Sequence, residues 1–199
     1  MTIELEDYGD GNVLEVEKDF ERNQHGKIIF RGNGNTLKIG SRCQMRGGQI
    51  QVWGGSTVEV GSDCLLGFID VFANKGSCIL VGDGVGFTWT VKLHAHERAN
   101  LTIGDQCLIA KDTLITVSDM HSLLDVATGD RINPAADVTI EPKVWIAENV
   151  RVLKGVTIGS QSVIGACSLV TKDIPRQCVA VGVPARVVRE GVTWCHELI

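Results

Sequence analysis

Residues 140–170 read Ile140-Glu141-Pro142-Lys143-Val144-Trp145, Ile146-Ala147-Glu148-Asn149-Val150-Arg151, Val152-Leu153-Lys154-Gly155-Val156-Thr157, Ile158-Gly159-Ser160-Gln161-Ser162-Val163, Ile164-Gly165-Ala166-Cys167-Ser168-Leu169 and Val170. Each group of six opens on an aliphatic residue, with no slip in register. Four residues later stands a second inward candidate: Val144, Val150, Val156, Ser162, Ser168 and then Ile174. A period of six fits neither the 3.6 of a helix nor a long strand of period two. It fits short strands that turn a corner and return to one interior. Three hexads close a triangular coil of roughly eighteen residues, and such coils stack by parallel pairing at about 4.8 Å. The stretch therefore predicts a β-solenoid.

Working back from Ile140, the repeat coarsens. Ile39-Gly40, Val60-Gly61, Val81-Gly82 and Ile103-Gly104 are separated by 21, 21 and 22 residues. Each follows a strand-like run: Ile28 to Phe30, Gln49 to Trp53, Phe68 to Phe72 and Thr90 to His94. These are the same coils with one wider corner, and Gly32-Asn33-Gly34-Asn35, Gly54-Gly55-Ser56 and Ala73-Asn74-Lys75-Gly76 carry the turn chemistry. Strict hexads return at Ile103, Ile109 and Ile115. Between Ile115 and Ile140 lie 25 residues, one more than four hexads. The polar run 118–137 is read as a loop leaving the solenoid, and insertions of this kind collect on binding faces. The expected organisation is an acidic cap segment at 1–25, in which Val13-Leu14-Glu15-Val16 reads as a strand, a β-helix domain at 26–176 with the excursion at 118–137, and a C-terminal segment at 177–199.

Composition narrows the function classes. The net charge of −5 is unevenly placed: residues 1–25 hold eight acids against two bases, which is −6, and the rest of the chain is +1. That balance argues against bulk nucleic-acid binding. No apolar run reaches the ~20 residues of a membrane span, and the first ten residues lack the pattern of a signal peptide, so a cytoplasmic protein is expected. Of seven cysteines, Cys43, Cys64 and Cys107 each follow an aliphatic by four positions, where later hexads carry Val or Ser. They are expected to be reduced, small core residues. His94 and His96 invite a metal reading, but three ligands cannot be assembled by spacing, and no metal is expected.

Several runs resemble the hexapeptide-repeat acyltransferases: Ile158-Gly159, Ile164-Gly165, Val170-Thr171-Lys172-Asp173-Ile174-Pro175, Gly182-Val183-Pro184-Ala185-Arg186-Val187-Val188-Arg189, and His121 within Ser118-Asp119-Met120-His121-Ser122. The likeness is close over 101–190 and looser over 26–100. It implies an all-β fold, a left-handed parallel β-helix, and the handedness comes from the resemblance alone. The loop with Gly129-Asp130-Arg131-Ile132-Asn133-Pro134 is most similar to the O-acetyltransferases of bacterial surface polysaccharides, and within them to those acting on polysialic acid capsules.

The resemblance implies acetyl-CoA as cosubstrate, a saccharide acceptor that is polyanionic if it is a sialic acid polymer, and a homotrimer with sites between subunits. His121 falls at the family's catalytic histidine, and an imidazole with an ordinary pKa near 6.5 suits proton removal from a hydroxyl. Trp145, outward if Ile146 points in, falls near the acyl group, where its ring N–H serves the site or its bulk fills an interface. Thr171, Lys172, Arg186 and Arg189 match positions lining the coenzyme A channel, and the cations suit phosphates. Ala147 and Ala166 match places where a small side chain admits pantetheine. Asp119 is expected with Lys92 and His94 on the acceptor side of the site, where either its carboxylate or a backbone carbonyl orients the His121 ring. Glu141 and Ala147 depart from glycines usual in the hexad, and Glu148 from a small polar residue. Two rival readings remain: an amino-sugar N-acetyltransferase, and a non-catalytic solenoid scaffold.

Overall fold

The computed structural model describes residues 3–17, 20 and 24–199. The remainder of the acidic segment, including Lys18, Asp19, Glu21 and Arg22, lies outside them. Every regular element among the described residues is a strand, and all but one pairing are parallel. Among the described residues no helix is long and apolar enough to cross a membrane.

The chain winds over three faces in a fixed order. The first face carries Lys27–Arg31, the later part of Gln44–Trp53 and of Leu65–Ala73, then Val91–Ala95, Thr113–Thr116, Arg151–Val152 and Leu169–Val170. The second is a seven-stranded sheet from Val13–Val16 up to Thr157–Ile158. The third carries Gly86–Phe87, Leu108–Ile109, Trp145–Ile146, Val163–Ile164 and Cys178–Val181. The hexads set this register. Ile140, Ile146, Val152, Ile158, Ile164 and Val170 are all fully buried, each worth about 1.5–3 kcal/mol of burial.

The corner from second to third face shows why a six-residue turn closes. Arg42, Asp63, Gly84, Gln106, Lys143, Gln161 and Gln177 hold successive coils at positive φ, between 56° and 66°. The residue after each points inward: Cys43, Cys64, Val85, Cys107, Val144, Ser162 and Cys178, all buried. The thiols behave as the spacing predicts. No two sulfurs are joined, and Cys43, Cys64 and Cys107 donate to the carbonyls of Gly61, Gly82 and Glu141 at 3.0, 3.2 and 3.2 Å.

The acidic segment is distinct in charge but not in hydrogen bonding. Glu4–Tyr8 pairs with Lys27–Arg31, and Val13–Val16 with Thr36–Ile39, so these strands form the first coil. At the other end, Arg186–Glu190 runs antiparallel to Cys178–Val181 and closes the stack. Residues 117–137 leave at the corner between first and second faces, the same corner that is widened in the coils below.

Candidate active site

His121 is exposed at the start of the excursion, and its backbone is fixed from several sides. Met120 turns at φ 63°, and the Met120 and His121 N–H groups donate to Ser118 Oγ and the Asp119 carbonyl, both at 2.8 Å. The hub is Asn133, which is buried. Its Nδ2 donates to the His121 carbonyl and to Asp119 Oδ2, each at 2.8 Å, while its Oδ1 accepts from the Leu123 N–H at 2.7 Å. An amide is needed here because the loop presents both an acceptor pair and a donor.

Two ion pairs tie this hub to the coils. Arg131 reaches Glu97 through both guanidinium nitrogens, at 2.5 and 2.9 Å, and Ser118 Oγ donates to the same carboxylate. Arg131 foremost, then Ser118, holds the Glu97 carboxyl down to about 2. Lys154 donates to Asp119 Oδ2 at 2.6 Å and to the Asn133 and Pro134 carbonyls at 3.0 and 2.9 Å. Lys154 foremost, then Asn133, holds the Asp119 carboxyl below its ordinary range. Asp119 therefore serves the loop's anchoring, with its carboxylate taken up by Lys154 and Asn133. Glu97 and Lys154 have no place in the sequence reading, and Arg131 and Asn133 enter it only through the loop's resemblance, since the partners of this clamp lie far along the chain.

Trp145 stands on the third face, 37 % exposed above the fully buried Ile146. Trp194 of the C-terminal segment packs beside it, ring centroids 6.1 Å apart, and is itself buried. The Trp194 Nε1–H donates to the Lys143 carbonyl at 2.7 Å, so the tail is pinned two residues before Trp145. Ala147 and Ala166 follow on the corner between third and first faces, where the Ala147 N–H joins the Ile164 carbonyl at 2.9 Å. Arg186 and Arg189 are exposed on the final antiparallel strand, against Val181 and Val179. Thr171 and Lys172 are exposed at the opposite corner, after Leu169–Val170 and on the edge from which the His121 loop departs.

Within one chain, then, the predicted residues fall into two sets. His121, Asp119, Thr171 and Lys172 lie along the corner between first and second faces. Trp145, Ala147, Ala166, Arg186 and Arg189 lie on the third face and its far corner. Lys92 and His94 project from Val91–Ala95 on the first face between them. His94 Nε2 is 3.3 Å from Asp70 Oδ2, and Gln49 Nε2 donates to the other carboxylate oxygen at 3.1 Å. His94 foremost holds the Asp70 carboxyl below its ordinary range. The departures from the usual hexad have local reasons. Glu141 Oε2 accepts the Ser160 N–H at 2.7 Å, and Glu148 pairs with Lys111 at 3.4 Å.

Comparison with known proteins adds to this geometry. Residues 137–172 match the family described as bacterial transferase hexapeptide (six repeats). The polysialic acid O-acetyltransferase of Escherichia coli O1:K1 / APEC is 35% identical over 131 residues, 64% of this chain and 41% of that protein. The galactoside O-acetyltransferase of Escherichia coli (strain K12) is 40% identical over 120 residues, 60% of this chain and 58% of that one. The chain thus spans about half the length of these curated relatives. The crystal structure of the polySia specific acetyltransferase NeuO superposes with a TM-score of 0.85 at 32% identity, covering 98% of this chain and 90% of that chain. The polysialic acid O-acetyltransferase OatWY, at 24% identity and a TM-score of 0.65 over 98% of this chain and 92% of that chain, shares the fold. The solenoid is accordingly a left-handed parallel β-helix.

Proposed function

The chain belongs to the hexapeptide-repeat acyltransferases, and from that premise we propose that it is an acetyl-CoA-dependent O-acetyltransferase acting on a hydroxyl of a bacterial surface polysaccharide, with sialic acid residues of a capsule-type polymer as the acceptor. The observation that carries this reading is the clamp on His121: an exposed imidazole whose backbone is fixed by the buried Asn133 and two ion pairs. A scaffold has no use for a fixed, solvent-facing histidine.

In the proposed step, His121 accepts the proton of a sugar hydroxyl as its oxygen bonds to the thioester carbonyl carbon. The tetrahedral oxyanion takes a hydrogen bond from the Trp145 ring N–H or from a backbone N–H. The C–S bond then breaks, and the departing thiolate recovers the proton from His121. Lys172, Arg186 and Arg189 meet the coenzyme's phosphates, with Thr171 beside them, while Ala147 and Ala166 leave room for the pantetheine arm. Lys92 and His94 meet the acceptor, and Asp119 supports the loop.

The separation of His121 from Trp145 within one chain supports a homotrimer, in which the loop corner of one subunit faces the third face of the next. Val163 and Leu169, half-buried beside fully buried neighbours, supply apolar surface for such a contact. The test is direct. The purified chain is incubated with acetyl-CoA and a panel of glycans, and products are weighed by mass spectrometry. A base-labile acetyl ester on sialic acid polymers is expected. Acetylation of amino-sugar nitrogen alone would replace this reading with N-acetyl transfer, and no product at all would remove the enzyme. Light scattering should give three times the 21.5 kDa of one chain.

A further inference from the structure

First-face strands of the wide coils run to five residues, as in Lys27–Arg31 and Val91–Ala95, against two in Arg151–Val152 and Leu169–Val170. The added length creates an extra outward column along the edge that leads up to the His121 loop. Tyr8 pairs across to Arg31 and Arg31 to Trp53. The Arg31 guanidinium lies over both rings, 5.3 Å from the Tyr8 centroid and 5.1 Å from that of Trp53. Trp53 meets Phe72 edge-on at 5.0 Å, and Phe72 meets His96 at 4.6 Å. His96 is followed by Glu97, which anchors Ser118 and Arg131 of the loop.

Along this column the nearby carboxylates other than those of Asp7 and Asp10 are engaged by cations, which leaves Arg31 to meet an anionic group. Asp70 is engaged by His94 and Gln49, Glu97 by Arg131 and Ser118, and Glu6 by Lys27. Among the described residues Arg31 makes no ion pair, and Trp53 Nε1 is buried without an acceptor. An arginine whose guanidinium lies over two aromatic rings is restrained before a carboxylate arrives and loses little freedom on binding one. The rings offer flat apolar faces for the C–H faces of sugars, which stack without regard to hydroxyl pattern. From the strand of Tyr8 to Thr113–Thr116, which leads into Ser118, is five rungs, about 24 Å at the usual strand spacing, far longer than one sugar ring.

We infer that this edge is an extended acceptor track, which binds several consecutive residues of a carboxylate-bearing glycan and feeds the chain to the His121 loop. The inference rests on the reading of the protein as a polysaccharide acetyltransferase, but it makes a separate claim: affinity grows with acceptor length because Tyr8, Arg31 and Trp53 engage sugars remote from the one acetylated.

The experiment uses the full chain and α-linked sialic acid oligomers from the dimer to long polymer. Binding is measured by calorimetry in the absence of acetyl-CoA, and kinetics are measured with it. Affinity of the unaltered protein should rise with length. Arg31→Ala, Trp53→Ala and the exposed Tyr8→Ala should each weaken the long polymer about tenfold more than the dimer, with the Michaelis constant for acetyl-CoA unmoved. Equal losses on dimer and polymer, or length-independent binding by the unaltered protein, would overturn the track. So would a fall in oligomer mass for Tyr8→Ala with activity lost in step, which would assign the column to a subunit contact. If no acetyl transfer occurs but length-dependent binding is lost in these variants, the track stands and the assigned activity falls. If transfer occurs without length dependence, the activity stands and the track falls.

Discussion

The wide coils below residue 103 and the strict coils above residue 138 enclose the same interior, and the outward positions separate them. Above, the strands from Trp145–Ile146 to Leu169–Val170 have two residues and leave one outward side chain each, and the corners carry Ala147, Ala166 and Lys172. Below, the lengthened first face adds a column with Arg31, Trp53 and His96. The buried hexad fixes how the chain winds. The number of residues at one corner fixes how much surface is free for ligands. On the proposed reading, the strict half holds the donor, the wide half holds the acceptor, and the His121 loop sits at the seam.

The strongest attempt to break this division is His121→Ala. If the seam carries the base, turnover should fall roughly 10²–10⁴-fold with coenzyme A binding intact, measured as heat protection by acetyl-CoA. Near-normal turnover would leave the two halves with nothing joining them. Next comes Trp145 on the strict half. If its ring N–H meets the oxyanion, Trp145→Phe and Trp145→Ala should both lower turnover, by about 10–10³-fold. If it only fills an interface, the Phe variant should be nearly silent while Ala weakens the oligomer.

Smaller effects sharpen the comparison. Lys172→Ala and Arg189→Ala should raise the Michaelis constant for acetyl-CoA up to about tenfold and leave that for the acceptor nearly unchanged. A rise in the acceptor constant instead would move the donor channel off the strict coils. The smallest effect concerns the seam's own stability. Glu97 ionises at about 2 against an ordinary 4.5, so its pairing with Arg131 is fully present above about pH 4.5 and is lost as pH falls toward 2. Amides of Leu123 and Ile132 should then gain exchange relative to coil amides between those limits. Unchanged relative protection at the acid end would deny the ion pair its anchoring role.

Much of this molecule was legible before any coordinates. The six aliphatic positions from Ile140 to Val170, the wide coils marked by Ile39-Gly40 and its successors, and the departure near Ser118 all follow from periodicity. The corners were less visible, because Arg42, Asp63, Gln106 and Lys143 adopt positive φ without being glycine. Their conformation is imposed by the neighbouring coils, and composition cannot report it. Of the first coil, Val13–Val16 is readable as a strand and Glu4–Tyr8 is not, for a related reason. In Glu4–Tyr8 the acids Glu4, Glu6 and Asp7 dominate, and its pairing with Lys27–Arg31 involves backbone groups that any sequence supplies. The clamp on His121 was invisible because Asn133, Glu97 and Lys154 meet it across 12 to 35 residues with no repeating pattern. Trp194 likewise gave no sign of its place beside Trp145. Periodic packing leaves a trace in one sequence, and single long-range polar contacts do not.

The inward cysteines have a practical consequence. Cys43, Cys64, Cys107 and Cys178 are sealed at successive heights of the stack, Cys78 is half-buried on the second face, and Cys167 and Cys195 face solvent. Burial foremost pushes the Cys107 thiol up to about 11, and Cys64 is raised by its contact with Cys43 and by burial. The thiolate is the form that attacks an alkylating reagent, so in the native protein the two outer sulfurs should take the label and the sealed ones should not. During slow denaturation, each inner sulfur becomes reactive only when its own coil opens. Coils that touch only their neighbours can fray from either end. The order in which peptides containing Cys43, Cys64, Cys107 and Cys178 acquire label would therefore give a time-stamped record of where unravelling begins, with no probe introduced.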